Sequence, residues 1–224
     1  MKTAKLIVIA VLMLLIATAA IAQQSVKMDY TDSYNWHGIK IYGDDTVHLG
    51  IATSMQGIDI SAISHIGQNH DDIEYWDTSV GYALPPLAGL QITPRYGYMI
   101  LPGTEAQEFS LTAQLPIGII APRYTLAHVE LSEGDGGQFH VVGCDVSLGD
   151  PDGLSAMLMA DITYNDGVLG ITEWTHAMAG LVVDIPIGQL TVQPGVWYQY
   201  SFTPEALNCE ENEVWYGLSV IARF

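Results

Sequence analysis

From Val26 to Phe224 apolar and polar residues alternate one by one, in runs of roughly ten residues ended by breaks. This is the repeated signature of strands that cross a membrane as a barrel. Twelve runs are predicted, over residues 27–38, 46–54, 58–66, 74–84, 90–101, 107–115, 119–129, 138–148, 154–165, 173–185, 189–202 and 213–224. In the fifth, Leu90, Ile92, Pro94, Tyr96, Tyr98 and Ile100 oppose Gln91, Thr93, Arg95 and Gly97. In the eleventh, Leu190, Val192, Pro194, Val196, Tyr198, Tyr200 and Phe202 oppose Thr191, Gln193, Gly195 and Gln199. An apolar face turned to lipid makes a transmembrane barrel, whereas the same face turned inward makes a soluble sandwich, and alternation alone does not choose.

The breaks choose between them. One set is short and nearly uncharged: Met55-Gln56-Gly57, Pro85 to Gly89, Pro116-Ile117-Gly118, Gly149 to Gly153 and Pro186-Ile187-Gly188. The other set is longer and acidic, at Asp44-Asp45, Asp71-Asp72, Glu105, Glu130 to Asp135, Asp166 and Glu205 to Glu211. Outer-membrane barrels have short periplasmic turns, longer outer loops and an aromatic girdle at each interface. Tyr34, Trp36, Trp76, Tyr98, Tyr164, Tyr200 and Tyr216 fall near the predicted outer ends, and Tyr82 and Phe224 near the periplasmic ends. Proline recurs alike within three strands, in Thr93-Pro94-Arg95-Tyr96, Ala121-Pro122-Arg123-Tyr124 and Gln193-Pro194-Gly195-Val196. A proline donates nothing to a ladder, so bulges or bends are expected there, by hairpin duplication or by chance likeness of short segments.

Lys2 and Lys5 precede an apolar run from Leu6 to Ala22 that ends Ala20-Ile21-Ala22-Gln23. That order reads as a cleavable signal peptide over residues 1–22, ahead of a barrel domain over 23–224. A retained anchor is the rival reading, and the small residues before Gln23 favour cleavage. The net charge of −18, made more acidic by loss of the two lysines, excludes nucleic acid as a partner, since phosphate contacts need clustered Lys and Arg. Only 14% of residues are charged although mean hydropathy is +0.24, an apolar surface that only strands are available to place in a membrane. Cys144, in a predicted strand, and Cys209, in an acidic loop, are read as free thiols.

The last strand, Tyr216-Gly217-Leu218-Ser219-Val220-Ile221-Ala222-Arg223-Phe224, ends on Phe with Tyr216, Leu218 and Val220 on one face. It resembles the β-signal read by the outer-membrane barrel-assembly machinery. Three segments, Ser33-Tyr34-Asn35-Trp36-His37-Gly38-Ile39, Glu74-Tyr75-x-Asp77-x-Ser79-Val80-Gly81-Tyr82 and Ala160-Asp161-Ile162-Thr163-Tyr164-Asn165-Asp166-Gly167, resemble the TorF-like porin family of Gram-negative outer-membrane barrels. That family more often carries Arg where this chain has His37. The resemblance implies a porin fold and transfers no catalytic residue.

With the apolar face outward, Asp77, Arg95, Glu108 and Arg123 point inward from four successive strands. They suggest either a charged constriction or an inert ladder of ion pairs. Asp145, Asp161, His176 and Asp184 continue the inner wall, with Arg223 as counter-charge, and an acidic lumen attracts cations. Trp174, Trp197, Met157 and Met159 are expected inside, filling the bore or lining an apolar site. His37, His48 and His65 lack close metal-ligand spacing, so no metal or other cofactor is expected. The loop from Glu130 to Asp135 can hold Ca²⁺ or Mg²⁺ loosely against anionic lipid. His128 and His140 face lipid without a serine in register, and no Gly-x-Ser-x-Gly elbow occurs, so no enzyme is expected. The sequence therefore predicts an all-β, up-and-down transmembrane barrel of the outer membrane acting as a narrow, cation-preferring passive pore for small solutes. The alternative is a non-conducting barrel whose acidic loops serve adhesion.

Overall fold

The computed structural model describes residues 23–42, 45–67, 75–101, 103–150, 153–207 and 209–224, and the predicted leader, residues 1–22, lies outside them. The strands are β1 (Gln23–Thr31), β2 (Tyr34–Trp36), β3 (Ile39–Tyr42), β4 (Thr46–Met55), β5 (Ile58–Gly67), β6 (Tyr75–Tyr82), β7 (Gln91–Leu101), β8 (Thr104–Gln114), β9 (Ile120–Leu131), β10 (Gly137–Gly149), β11 (Ser155–Asp166), β12 (Thr172–Ile187), β13 (Leu190–Ser201) and β14 (Asn212–Arg223). A single helical turn, α1 (Pro204–Leu207), precedes β14. Twelve strands close into one antiparallel barrel in the order β1-β14-β13-β12-β11-β10-β9-β8-β7-β6-β5-β4, and β2 and β3 form a separate hairpin. Closure rests on β1 and β14, paired from Ser25↔Arg223 to Thr31↔Gly217 and extended by bonds from Gln24 N to Phe224 O and from Phe224 N to Gln24 O. No strand edge is left to meet hydrocarbon, where an unpaired amide costs several kcal/mol.

The pleat sorts the side chains as the alternation requires. Val214 is 64% exposed and Phe109 56% exposed, and with Val26, Leu49, Leu111, Val142, Leu158, Val196 and Leu218 they form an outward apolar surface. Gln56 and Gly57, at φ 52° and 83°, make the two-residue turn after β4, where two left-handed residues match the twist of the flanking strands. β7 ends at Leu101 and β8 begins at Thr104, against the predicted rule that outer loops are long, and Gly103 before β8 has the left-handed φ of 76° that favours glycine.

Three other expectations are corrected. The first predicted strand, 27–38, stops at Thr31, and Tyr34–Trp36 turns back at His37-Gly38 to pair with β3. Left-handed φ values of 47° and 80° at these two residues form the tight turn. Pro94, Pro122 and Pro194 produce no register shift: they sit opposite Leu111, Cys144 and Leu218 in regular ladders. A bulge occurs instead in β12, where Thr163 pairs with His176 and Tyr164 with Trp174, leaving Thr175 as the extra residue. The inner face is not polar along its whole length either. Met99, Leu101, Ala106, Ala127, Val129 and Phe139 meet Trp36 and Ile39 in a buried apolar cluster inside the outer end of the barrel.

Candidate functional site

The β2–β3 hairpin folds into the bore. Trp36 is 8% exposed and Ile39 7%, because both ring and branch enter the apolar cluster rather than the membrane interface, where Trp36 was expected. Trp36 meets Phe139 edge-on with centroids 5.9 Å apart, and the His37 ring stacks on Phe139 at 4.4 Å. Polar anchors complete the seat. His37 Nε2 lies 2.9 Å from Glu108 Oε2 on β8, Gln199 Nε2 on β13 donates to the Gly38 carbonyl at 3.0 Å, and Lys40 Nζ donates to Glu213 Oε1 on β14 at 2.7 Å. β8 and β14 stand six places apart in a ring of twelve, so the hairpin crosses from one wall to the opposite one. The ring of His176 packs where a Cβ on Gly38 would project, which leaves space for glycine alone.

Register places the eight sequence-predicted lumen residues on the inner face and gives each a partner different from the expected ladder. Asp77 sits opposite Met99, Arg95 opposite Ser110 and Glu108 opposite Val129, so their charges lie at different heights along neighbouring strands. Asp77 accepts from His65 Nε2 at 3.0 Å, Arg95 donates to Ser79 Oγ at 2.6 Å, and Glu108 is taken by the hairpin. Arg123 bridges two carboxylates, donating from Nε to Asp145 at 3.3 Å and from Nη2 to Asp161 at 2.9 Å. Gln114 also donates to Asp145, Gln193 donates to Asp184 at 2.7 Å, and His176 is buried beside Thr175. On β14 the face of Tyr216, Leu218 and Val220 points outward, with Arg223 inward donating to Thr191, and terminal Phe224 is 72% exposed.

A hydrogen-bonded row that the sequence did not suggest runs across β1, β4, β5 and β6. Thr31 Oγ1 meets His48 Nε2 at 3.0 Å, His48 Nδ1 meets His65 Nδ1, and His65 reaches Asp77. Antiparallel register aligns His48 with His65 directly, a pairing that their spacing in the chain hides. Among the described residues no group of three His, Cys, Asp or Glu side chains is placed to hold a metal ion. His140 on the outer wall is engaged by the Tyr124 hydroxyl at 2.8 Å, and His128 lies 3.8 Å from Glu130. Trp174, expected inside, is 49% exposed and packs edge-on against Tyr164 outside, because the β12 bulge moves it to the other face.

Both cysteines are free. Cys144 belongs to the outward row of β10, whereas Cys209 sits beneath the hairpin, packed against the apolar cluster with its Sγ 3.0 Å from Ser201 Oγ. Burial pushes the Cys209 thiol above the ordinary thiol range.

Below the hairpin, among the described residues, the bore holds a chamber and a vestibule. A chamber of about 320 Å³ is lined by Asn35 from the hairpin, by Lys27, Asp29, His48, His65 and Asp77 on one side, and by Gln193, Trp197 and Trp215 on the other. A vestibule of about 420 Å³ at the periplasmic end is lined by Ser25, Ser61, Ser79, Thr93, Arg95 and Arg223 among others.

A closed antiparallel barrel with an apolar outer surface, a largely polar interior and an inward-folded loop is an outer-membrane β-barrel of porin-like architecture. Solved porins share that architecture over most of this chain. The NanC porin superimposes with a TM-score of 0.63 at 10% identity, covering 90% of this chain and 100% of its own. The KdgM porin gives 0.60, and the same porin in complex with disordered oligogalacturonate gives 0.59, each at 10% identity and covering 90% of this chain and 99% of its own. No family model and no curated protein matches the sequence.

Proposed function

We propose that the chain is a narrow passive diffusion pore of the outer membrane with a preference for cations, and that it belongs with the TorF-like porins its sequence resembles. The observation that carries this reading is the charge of the inner wall. Asp29, Asp59, Asp77, Glu108, Asp145, Asp161, Asp184 and Glu213 face inward against Lys27, Lys40, Arg95, Arg123 and Arg223. In a bore walled by low-dielectric protein such an excess concentrates cations and repels anions. Asp77, Arg95, Glu108, Arg123, Asp145, Asp161, His176 and Asp184 are assigned as pore-lining residues. The hairpin narrows the outer end.

Residues 1–22 direct export and are removed, and Tyr216, Leu218, Val220 and Phe224 present the assembly signal to the barrel-assembly machinery. Lipid surrounds the outward face, and the exposed loop from Glu130 to Asp135 can recruit divalent cations at the headgroups. No reaction is assigned. A second reading, a barrel that does not conduct and presents its acidic loops for adhesion, is favoured by one feature: the hairpin reaches both walls. Reconstitution into planar bilayers under a KCl gradient separates the two. Discrete steps with a cation-selective reversal potential support the pore, and a silent bilayer from correctly folded protein overturns it.

A further inference from the structure

The vestibule at the periplasmic end differs from the rest of the inner wall in how its charges are held. Elsewhere Lys27 is paired with Asp29, Lys40 with Glu213, and Arg123 with Asp145 and Asp161. Asp59, Arg95 and Arg223 line the vestibule, and among the described residues none of the three forms an ion pair. Arg95 donates to Ser79 Oγ at 2.6 Å and Arg223 to Thr191 Oγ1 at 2.8 Å, both neutral acceptors, and the Asp59 carboxylate accepts no hydrogen bond from any described residue. All three residues are exposed, so water occupies their remaining hydrogen-bonding sites and a solute can take its place.

Register sets the distance between the opposite charges. Asp59 lies opposite Gly81 on β6, and Gly81 lies opposite Arg95 on β7, so acid and base stand in one row, two strands apart. Their backbones are separated by roughly 10 Å, twice the spacing of neighbouring strands. Gly81 leaves the interval between them open. A Cβ there would sit 3.7 Å from Arg95 Cγ, an ordinary contact, so a side chain could be accommodated and would fill the gap. In the row alongside, the hydroxyls of Ser61 and Ser79 meet at 2.8 Å, and Ser79 steadies the Arg95 guanidinium.

A guanidinium presents its N–H groups as a planar fork that matches a carboxylate, and a carboxylate accepts strongly from an ammonium. An anion held at Arg95 has Asp59 as a like-charged neighbour, and a cation held at Asp59 has Arg95. A solute that carries both charges is attracted at each end, which is what separates it from either simple ion. We infer that the vestibule is a binding site for zwitterionic α-amino acids, whose carboxylate takes the Arg95 guanidinium while the ammonium takes Asp59 across the gap at Gly81. The inference deepens the pore reading by naming a solute class. Cation preference comes from the charge of the whole bore, where acids exceed bases, whereas retention of a solute comes from this one gap. The space of about 420 Å³ holds a free amino acid together with hydration water.

The test is NMR of the arginine Nε–H groups in the mature barrel, labelled with ¹⁵N-arginine and held near pH 6 in a nonionic detergent. The chain has three arginines, and Arg123 serves as the internal control. Glycine is the probe, with acetate, which lacks the ammonium, and methylammonium, which lacks the carboxylate, as controls at constant ionic strength. Signals are assigned by replacing each arginine with lysine in turn, and heat-modifiable gel migration checks folding. Glycine should move the Arg95 signal saturably while Arg123 stays, acetate should bind about threefold to tenfold more weakly, and methylammonium should leave the signal unmoved. Asp59→Asn should bring glycine down to the level of acetate, and Gly81→Val, which keeps every charge, should weaken glycine as well. Absence of a saturable Arg95 shift with glycine in folded protein overturns the site, as does equal binding of acetate by the parent or an unchanged glycine affinity in both folded variants. No current is measured, so a conducting barrel whose Arg95 ignores glycine refutes the site alone, and a silent barrel that binds glycine refutes the pore alone.

Discussion

The imidazole of His37, at the tip of the β2–β3 hairpin, lies 2.9 Å from the carboxylate of Glu108, 71 residues further along the chain on the inner wall of β8. That contact exists only while the hairpin is seated across the bore. Lys40 and Glu213 make the matching contact on the opposite wall at 2.7 Å. The outer end is therefore narrowed by a hairpin that three polar anchors and an apolar cluster hold in place, while the twelve-stranded wall closes without any contribution from the hairpin.

Loss of the two anchors that involve charged side chains should loosen the seat. In a Glu108→Ala, Lys40→Ala double variant each replaced hydrogen bond to a charged partner removes about 1.5–3 kcal/mol of docking energy. Single-channel recording should show larger or longer-lived conductance steps than the parent. Identical steps in both would mean that the hairpin does not control the opening.

Gly38→Val tests the same seat by shape. Gly38 has φ 80°, and a side chain there would enter the ring of His176. Left-handed strain for a β-branched residue costs of order 1–3 kcal/mol before the collision is counted. The hairpin should leave the bore while the barrel keeps its heat-modifiable migration on a gel. Loss of the folded band would show instead that the hairpin is needed for assembly.

Cys209 reports on this movement. Its thiol is packed against the cluster under the hairpin and burial raises its pKa, so the protonated form is favoured in the folded state. Folding stability contributed by that group is present below the ordinary thiol pKa and is lost as pH rises through the raised one. Alkylation by a water-soluble maleimide near neutral pH should be slow in the parent, accelerate as pH climbs, and be markedly faster in Gly38→Val. Equal rates in the two proteins would place Cys209 outside the hairpin's cover. Cys144, on the lipid side, is substituted by Ala so that one thiol is read.

Arg123 holds Asp145 and Asp161 together from the middle of the wall. Arg123→Met leaves both carboxylates inward without their shared cation. Thermal unfolding should show a loss of about 1–3 kcal/mol. The added negative charge should raise the cation-to-anion permeability ratio, and a ratio that falls or stays constant would remove these residues from the conducting path.

Much of the barrel was legible in the sequence because a membrane wall obeys a period of two. Leu111, Val142 and Leu218 announce the lipid face by alternation alone, and the predicted strands agree with the observed ones within a few residues after the first. The hairpin was not legible. Tyr34 to Trp36 continues the alternation of β1, and only His37-Gly38, read as a primed turn, marks the reversal. The inward apolar residues Met99, Leu101 and Val129 were not foreseen, because nothing local shows that another part of the chain covers them. Trp174 was misplaced by one inserted residue, since a bulge inverts every face beyond it. Charge partners were missed for a third reason. Which carboxylate meets Arg123 depends on the stagger between strands, which the sequence of a single strand does not contain.

The most direct measurement is a pair of recordings in planar bilayers under a KCl gradient, on the mature barrel and on a variant in which residues 34–42 are replaced by a short glycine-serine link. The expected result is cation-selective steps from both proteins, clearly larger in the variant. Silent bilayers from both, with each protein verified as a folded barrel, would contradict a conducting lumen bridged by this hairpin.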